Sequence, residues 1–450
     1  MRLPEAFVRR IEGEIPDWES FLRALELPSP VSVRLNANKK TESYAAAERV
    51  GWCESGRYLK ERPSFTLDPL FHAGAYYVQE ASSMFLEQVV RRYVDGPVRA
   101  LYLCAAPGGK TTHLLALLPE GSLLVSNEYV RQRAYILAEN VSKWGCANIV
   151  VTNNSPDDFS RYAGLFDLMV VDAPCSGEGM FRKDAGAIEE WSERGVRECE
   201  ERQRKILSDV WDVLREGGVC VYSTCTYNPG EDEEMVRWME RELGAEELLI
   251  PVEESWGIVR SERGYHFYPH KAKGEGFYLC ALRKTRRCAP GRFRTDRRGV
   301  LRPTREQSEE LSRYLGGDGW CLTSSGDRFF ALPELHAEGM TDMVGSMKVM
   351  HAGVPFGRWK GKSFIPDAAL ALSVCLKECS TPVYEVDAST ALSYLHKDAL
   401  NLPPSVDRGI VRICHAGLGL GWVKNLGNRS NSLYPDEWRI RMRIDNRQEK

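Results

Sequence analysis

Leu101-Tyr102-Leu103-Cys104-Ala105-Ala106-Pro107-Gly108-Gly109-Lys110 is an apolar run that breaks into a glycine-rich loop. A helical pattern follows from Thr111 to Leu118, so the stretch reads as strand, loop, helix. The alternation continues outward, with strands at Ser122–Ser126, Ile149–Thr152, Phe166–Val171 and Val219–Ser223 and helices at Arg131–Trp144 and Glu198–Arg215. Leu214-Arg215-Glu216-Gly217-Gly218 reads as a helix stop, and Tyr278–Leu282 as a late strand. This order predicts an α/β fold with a parallel, doubly wound sheet over about residues 96–285. Ligands bind such sheets beyond the carboxyl ends of the strands. Three segments should therefore meet in one crevice: Cys104–Lys110, Asp172-Ala173-Pro174-Cys175-Ser176-Gly177 and Tyr222-Ser223-Thr224-Cys225-Thr226.

The 450 residues are enough for two to four domains. Residues 1–95 form a mixed N-terminal region, helical over Glu5–Leu25 and strand-like at Val31–Asn36. Residues 286–305 read as a basic linker, 306–390 as an extension of short helices and strands, and 391–450 as a glycine-rich domain. That domain ends in Trp438-Arg439-Ile440-Arg441-Met442-Arg443, which alternates like an edge strand over a polyanion. No stretch approaches the ~20 apolar residues of a membrane span, and Met1–Glu5 opens no apolar signal core, so a cytoplasmic location is expected. Thirteen cysteines without framework spacing are expected to be reduced. Cys375 and Cys379, four apart on a predicted helix, have no further ligands near them, so no metal is expected. The net charge of −3 hides an uneven distribution: residues 283–302 hold nine Lys/Arg and one acid, Asp296, whereas 228–254 are acidic. Local basic patches count for more than the sum when a polyanion docks.

In the loop Cys104, Ala105, Ala106, Pro107, Gly108, Gly109, Lys110, the glycines let backbone approach a ligand, and the following helix offers free N–H groups to an anion. The spacing fits neither a dinucleotide fingerprint nor a phosphate-binding P-loop. Glu128, after the next strand, is placed to accept both hydroxyls of a ribose. The pair suggests adenosine with a compact, unphosphorylated tail, and S-adenosyl-L-methionine fits. A plain tight turn with a solvated Glu128 is the alternative.

The two thiols suggest a chemistry. Pyrimidine C5 is a poor nucleophile until a thiolate adds at C6; a base must then take the C5 proton so that the thiolate can leave. This needs a reactive thiolate, a proton donor and a second base, and Asp172, Cys175 and Cys225 supply one group for each.

At these residues a resemblance becomes specific. Leu103–Thr111, Asp172–Gly179 and Tyr222–Thr226 resemble the signature motifs of the RNA cytosine-5 methyltransferases of the NOL1/NOP2/Sun type. Tyr76–Ser83 and Val33-Arg34-Leu35-Asn36 are similar to that family's segments before the core. His351–Pro355, Leu418–Lys424 and Leu433-Tyr434-Pro435 resemble the extension and PUA-like RNA-binding domain of the bacterial RsmF subgroup, which acts on 16S ribosomal RNA. The resemblance implies a Rossmann-like methyltransferase core, S-adenosyl-L-methionine as cofactor, Cys225 as the nucleophile on C6, Cys175 as the group that aids release, and Asp172 against cofactor and base. It also implies an acid near the end of the third strand, beside the adenine; Ser155 stands at that position here.

A base inside a duplex is out of reach of this chemistry, so the target is flipped or unpaired. Arg182 and Lys183, just after the Cys175 loop, are placed to hold the target strand. The linker, Arg358-Trp359-Lys360-Gly361-Lys362 and Arg439–Arg443 are expected phosphate contacts, with Arg358, Lys360, Arg439 and Arg441 foremost. His113, His351 and His415 read as packed or surface side chains. The expected partner is 16S ribosomal RNA or the small ribosomal subunit, and the expected state a monomer away from membranes. The alternatives are another RNA such as tRNA, or a non-catalytic ribosome-assembly factor on the same fold.

Overall fold

The structure, a computed structural model, describes residues 3–293, 300–301, 303–316, 318–361, 363–378 and 380–443. The N-terminal region opens with two helices, Glu5–Glu14 and Trp18–Leu25. The single helical stretch expected over 5–25 is interrupted at Pro16, which has no N–H to continue a helix. Phe7, Ile11 and Phe21 on these helices pack on Phe181 and Tyr227 of the core. Strands β1 (Val31–Leu35), β2 (Glu48–Val50), β3 (Cys53–Leu59) and β4 (Tyr76–Val78) form an antiparallel sheet in the order β2-β3-β1-β4.

The core sheet is built on β5 (Arg99–Leu103), β6 (Leu123–Asn127), β7 (Ile149–Thr152), β8 (Phe166–Asp172) and β9 (Leu214–Thr224), all parallel, in the order β9-β8-β5-β6-β7. Leu101, Val125, Val150 and Val170 are wholly buried, as strands covered on both faces require. Next come β10 (Ala245–Leu248), β11 (Val259–Arg260), β12 (Tyr265–Phe267) and β13 (Phe277–Lys284). β13 lies antiparallel to β9 and carries β12 and β10.

The stretch expected to end a helix at Leu214–Gly218 is instead the start of β9. The helix runs from Glu193, capped by the Ser192 hydroxyl, to Val210. Leu214 pairs with Phe166 across a bulge, and the buried Lys284 ammonium binds the carbonyls of Trp211 and Leu214 at 3.0 and 2.9 Å. These distant partners override the local glycine signal.

Beyond the core, β14 (Val300–Leu301), β15 (Trp320–Ser325), β16 (Arg328–Pro333), β18 (Val354–Lys360) and β19 (Ser363–Pro366) form a five-stranded sheet. The intervening β17 (Val349–Ala352) pairs antiparallel with β7, so the extension completes the core sheet rather than standing apart from it. The last sheet is β20 (Val383–Glu385), β21 (Gly409–His415), β22 (Leu418–Asn425) and β23 (Ser430–Ser432). It begins before residue 391, where the sequence suggested a division, because β20 pairs with β21. Trp438–Arg443 is not the expected edge strand: Ile440 is buried and its N–H donates to the Leu395 carbonyl, which holds the segment as irregular chain. Cys375 lies in a turn after the helix Ala368–Leu372 rather than on a helix. Cys379, Lys362 and linker residues 294–299 and 302 lie outside the described residues. Among the described residues no helix is long and apolar enough to cross a membrane.

Candidate active site

β5, β8 and β9 are neighbours, so their carboxyl ends carry the three loops into one cavity of about 650 Å³. Cys104–Pro107, Gly109, Lys110, Asp172, Cys175 and Cys225 line it. The sulfurs of Cys175 and Cys225 stand 3.3 Å apart, and the Cys225 N–H points at the Cys175 sulfur, also at 3.3 Å. Both are free thiols. The hydrogen bond to the Cys225 sulfur, with burial, pushes the Cys175 thiol well above the ordinary cysteine range. Cys175 is thus held in the S–H form, facing its neighbour. Cys104 is half-buried in the cavity lining, with its thiol pushed up to about 12 by desolvation and by the charges of Glu128 and Asp172, so it presents a protonated wall rather than a nucleophile.

Asp172 ends β8 with both carboxylate oxygens engaged. Oδ1 accepts from the Ser223 hydroxyl at 2.8 Å and Oδ2 meets the Lys110 ammonium at 2.7 Å. Lys110 in turn lies over the Phe277 ring. Glu128 does not itself line the cavity but is buried behind Ala106, which does: Oε2 accepts from Ala106 N–H at 3.2 Å and Oε1 from Val130 N–H at 2.9 Å. Arg133 covers it, with Nη2 on the Ala106 carbonyl.

Ser155 does not reach this cavity. Its hydroxyl and N–H both donate to Asp158 at 3.0 Å, capping the short helix that starts at Pro156. The adenine contact expected at Ser155 has no counterpart among the residues lining this cavity; the Ser155 hydroxyl serves its own turn. Arg182 is corrected too. Its side chain is 4% exposed, pairs with Glu275 at 2.8 Å and donates to the Gly274 carbonyl at 2.6 Å, so it has no free donor face for a phosphate. Lys183 does line the cavity, 3.8 Å from Glu275. Arg358, Lys360, Arg439 and Arg441 are exposed but lie elsewhere; Arg358 edges a second cleft, between the five-stranded and C-terminal sheets.

One wall comes from residues to which the sequence assigned no site role. Tyr77, Gln79 and Ser83 reach in from β4 and the segment after it, opposite Phe277 of β13. Arg34 fastens that wall: fully buried over the Trp144 ring, it donates to Gln79 Oε1 at 2.8 Å and Thr112 Oγ1 at 2.6 Å. Asn36 adds donors to the Gly74 and Trp144 carbonyls. Only the likeness of Tyr76–Ser83 to a known segment hinted at this wall. His113, His351 and His415 lie outside the cavity lining, bonded to Glu87, to Ser142 and Gly353, and to Val386 respectively.

Three family models match the chain: 16S rRNA methyltransferase RsmB/F over residues 96–283, the N-terminal domain of 16S rRNA methyltransferase RsmF over 3–81, and the methyltransferase RsmF PUA domain over 381–440. The ribosomal RNA small subunit methyltransferase F of Cronobacter sakazakii is 30% identical over 472 residues, spanning 97% of this chain and 96% of that protein. The chain belongs to the ribosomal RNA small subunit methyltransferase F family. Among solved structures, a methyltransferase homolog protein from Pyrococcus horikoshii superposes with a TM-score of 0.53 at 26% identity, covering 62% of this chain and 95% of that one. NSun6 from Pyrococcus horikoshii, solved with SFG, shares the fold, with a TM-score of 0.53 at 18% identity over 63% of this chain and 98% of that one.

As in this family, the cofactor is S-adenosyl-L-methionine. The residues present fit it. Each Glu128 oxygen keeps acceptor capacity for a ribose hydroxyl, and the first turn of the helix Gly109–Leu117 offers N–H groups without helical partners to a carboxylate.

Proposed function

We propose that this protein methylates C5 of a cytosine in small-subunit (16S) ribosomal RNA through a covalent bond between Cys225 and C6. The observation that carries the reading is the pair of free sulfurs 3.3 Å apart, in one cavity with the Asp172 carboxylate. When bound, the cofactor supplies a methyl group on a sulfonium centre, an electrophile for C5.

The Cys225 thiolate adds to C6, and its electron pair makes C5 enolate-like and nucleophilic. C5 takes the methyl group. A base then removes the C5 proton, the C6–S bond breaks, and the bonding pair returns to the Cys225 sulfur. Cys175, facing that sulfur, aids this release. Asp172, braced by Lys110 and Ser223, orients the base beside the cofactor. The cavity walls hold the flipped base away from bulk water.

Lys183 at the mouth and the exposed Arg358, Lys360, Arg439 and Arg441 serve the phosphate backbone. In this reading the N-terminal region and the C-terminal sheet domain are accessory RNA-binding units around the core. The protein acts as a monomer in the cytoplasm.

The test is methyl transfer from labelled S-adenosyl-L-methionine to 16S ribosomal RNA and to small subunits, followed by nucleoside analysis. Label in 5-methylcytidine is the expected result. Label in another base overturns the C5 chemistry, label only in tRNA overturns the substrate, and no label in any RNA favours an assembly factor.

A further inference from the structure

Glu231 lies just behind the two cysteine loops, wholly buried. Among the described residues no Lys, Arg or His nitrogen comes within 4.0 Å of it. Its carboxyl group is instead turned onto one backbone group: both oxygens lie within hydrogen-bond distance of the Ser176 N–H, at 2.9 and 3.0 Å. Ser176 is the residue after Cys175. Burial pushes the Glu231 carboxyl up to about 8, so its place in the fold is costly by itself. An apolar residue of similar size would avoid that cost, which points to a role beyond packing.

The position of Glu231 is itself fixed. The Tyr222 hydroxyl of β9 donates to its carbonyl at 2.7 Å, and its N–H donates to the Asn228 carbonyl at 3.0 Å. It therefore reports the position of the Cys225 side of the site to the Cys175 side. Two further contacts join the same loops: the Ser176 and Thr226 hydroxyls at 2.8 Å, and Gln203 Nε2 on the Pro174 carbonyl at 3.0 Å.

We infer that Glu231 is a positioning residue, which holds the backbone of the Cys175 loop at the distance from Cys225 needed to release the product. The inference rests on the two-cysteine reading above. It assigns Glu231 no contact with RNA or cofactor. Removing the carboxylate frees Ser176, lets Cys175 drift from the C6–S bond and slows the release step ahead of the earlier ones.

The experiment compares Glu231→Ala, Glu231→Gln, Cys175→Ala and the double variant Glu231→Ala/Cys175→Ala. Each is incubated with 16S ribosomal RNA and S-adenosyl-L-methionine and run on a denaturing gel, with turnover measured in parallel. Glu231→Ala should accumulate protein–RNA adduct and lose about tenfold or more in kcat, with KM and cofactor Kd within about threefold of the parent. Glu231→Gln, which keeps an acceptor oxygen and the side-chain shape, should recover part of the turnover; it carries the test if the alanine variant does not fold. The double variant should trap no more adduct than Cys175→Ala, because both changes act on one step. Glu231 variants that fold and lose turnover without added adduct, or that release product like the parent, overturn the positioning role. No adduct from Cys175→Ala overturns the reading beneath it, a distinct result.

Discussion

Gly179→Ala tests how tightly the cysteine loops are locked. A Cβ on Gly179 would stand 2.4 Å from the Gly276 carbonyl oxygen, 2.8 Å from the Gly276 carbonyl carbon and 2.9 Å from the Cys225 carbonyl oxygen. All three are backbone atoms, so no side chain can swing away. Relief requires about 1 Å of movement between the Cys175 loop, the Cys225 loop and the start of β13. Overpacking of this kind costs about 1–3 kcal/mol, and the Gly179 N–H bond to the Cys225 carbonyl, 2.8 Å long, would lengthen or break. A 1 Å misplacement of reacting groups can cost about 10²-fold in rate, and the displaced group here is the peptide of Cys225 itself. The expected result is a folded protein, about 1–3 kcal/mol less stable to urea, with methyl transfer down about 10²-fold. Gly177→Ala is the control: its Cβ meets nothing within 4 Å, and only a left-handed φ of +72° opposes it, a cost of about 1–2 kcal/mol. Turnover in Gly179→Ala within about threefold of the parent would refute the claim that loop geometry limits the chemistry.

Other predictions follow from single contacts. Arg34→Ala strands the buried Gln79 oxygen and takes one partner from the Thr112 hydroxyl, so stability should fall by about 1–3 kcal/mol in urea titration, and cofactor affinity should weaken as the Gln79 wall loosens. Arg182→Ala leaves the buried Glu275 with the Ser29 hydroxyl and, as its nearest cation, the more distant Lys183, and should cost about 3–5 kcal/mol while leaving the salt dependence of RNA binding unchanged; Lys183→Ala should lower that salt slope by about one. Glu231 binds its proton more tightly folded than unfolded, because burial pushes the carboxyl up to about 8 from its ordinary 4.5. Its contribution to stability therefore falls as pH rises between those values, by at most about 1.4 kcal/mol per pH unit. Urea midpoints measured from pH 5 to 8 should decline less steeply in Glu231→Gln than in the parent.

The loops at the strand ends were legible because they are local. Each follows an apolar run, and a doubly wound sheet carries all such ends to one side. Long-range pairing was not legible. Gly217 and Gly218 look like a helix stop until Phe166 and Lys284 are seen to hold that stretch as strand. Arg182 looks like a surface cation because nothing nearby in sequence announces Glu275, ninety-three residues on. Ser155 sits at the right place in the chain, but its own capping turn uses its hydroxyl. The Tyr77–Gln79 wall depends on Arg34 reaching from β1 to the helix Gly109–Leu117, a contact that periodicity cannot express. Glu231 was hidden in an acidic run that composition reads as solvated surface, although its side chain is wholly buried.

The most direct measurement is denaturing electrophoresis of Cys175→Ala and Cys225→Ala after incubation with 16S ribosomal RNA and S-adenosyl-L-methionine. The account predicts a persistent protein–RNA adduct for Cys175→Ala, and neither adduct nor methyl transfer for Cys225→Ala. An adduct formed by Cys225→Ala, or full activity in that variant, would contradict it.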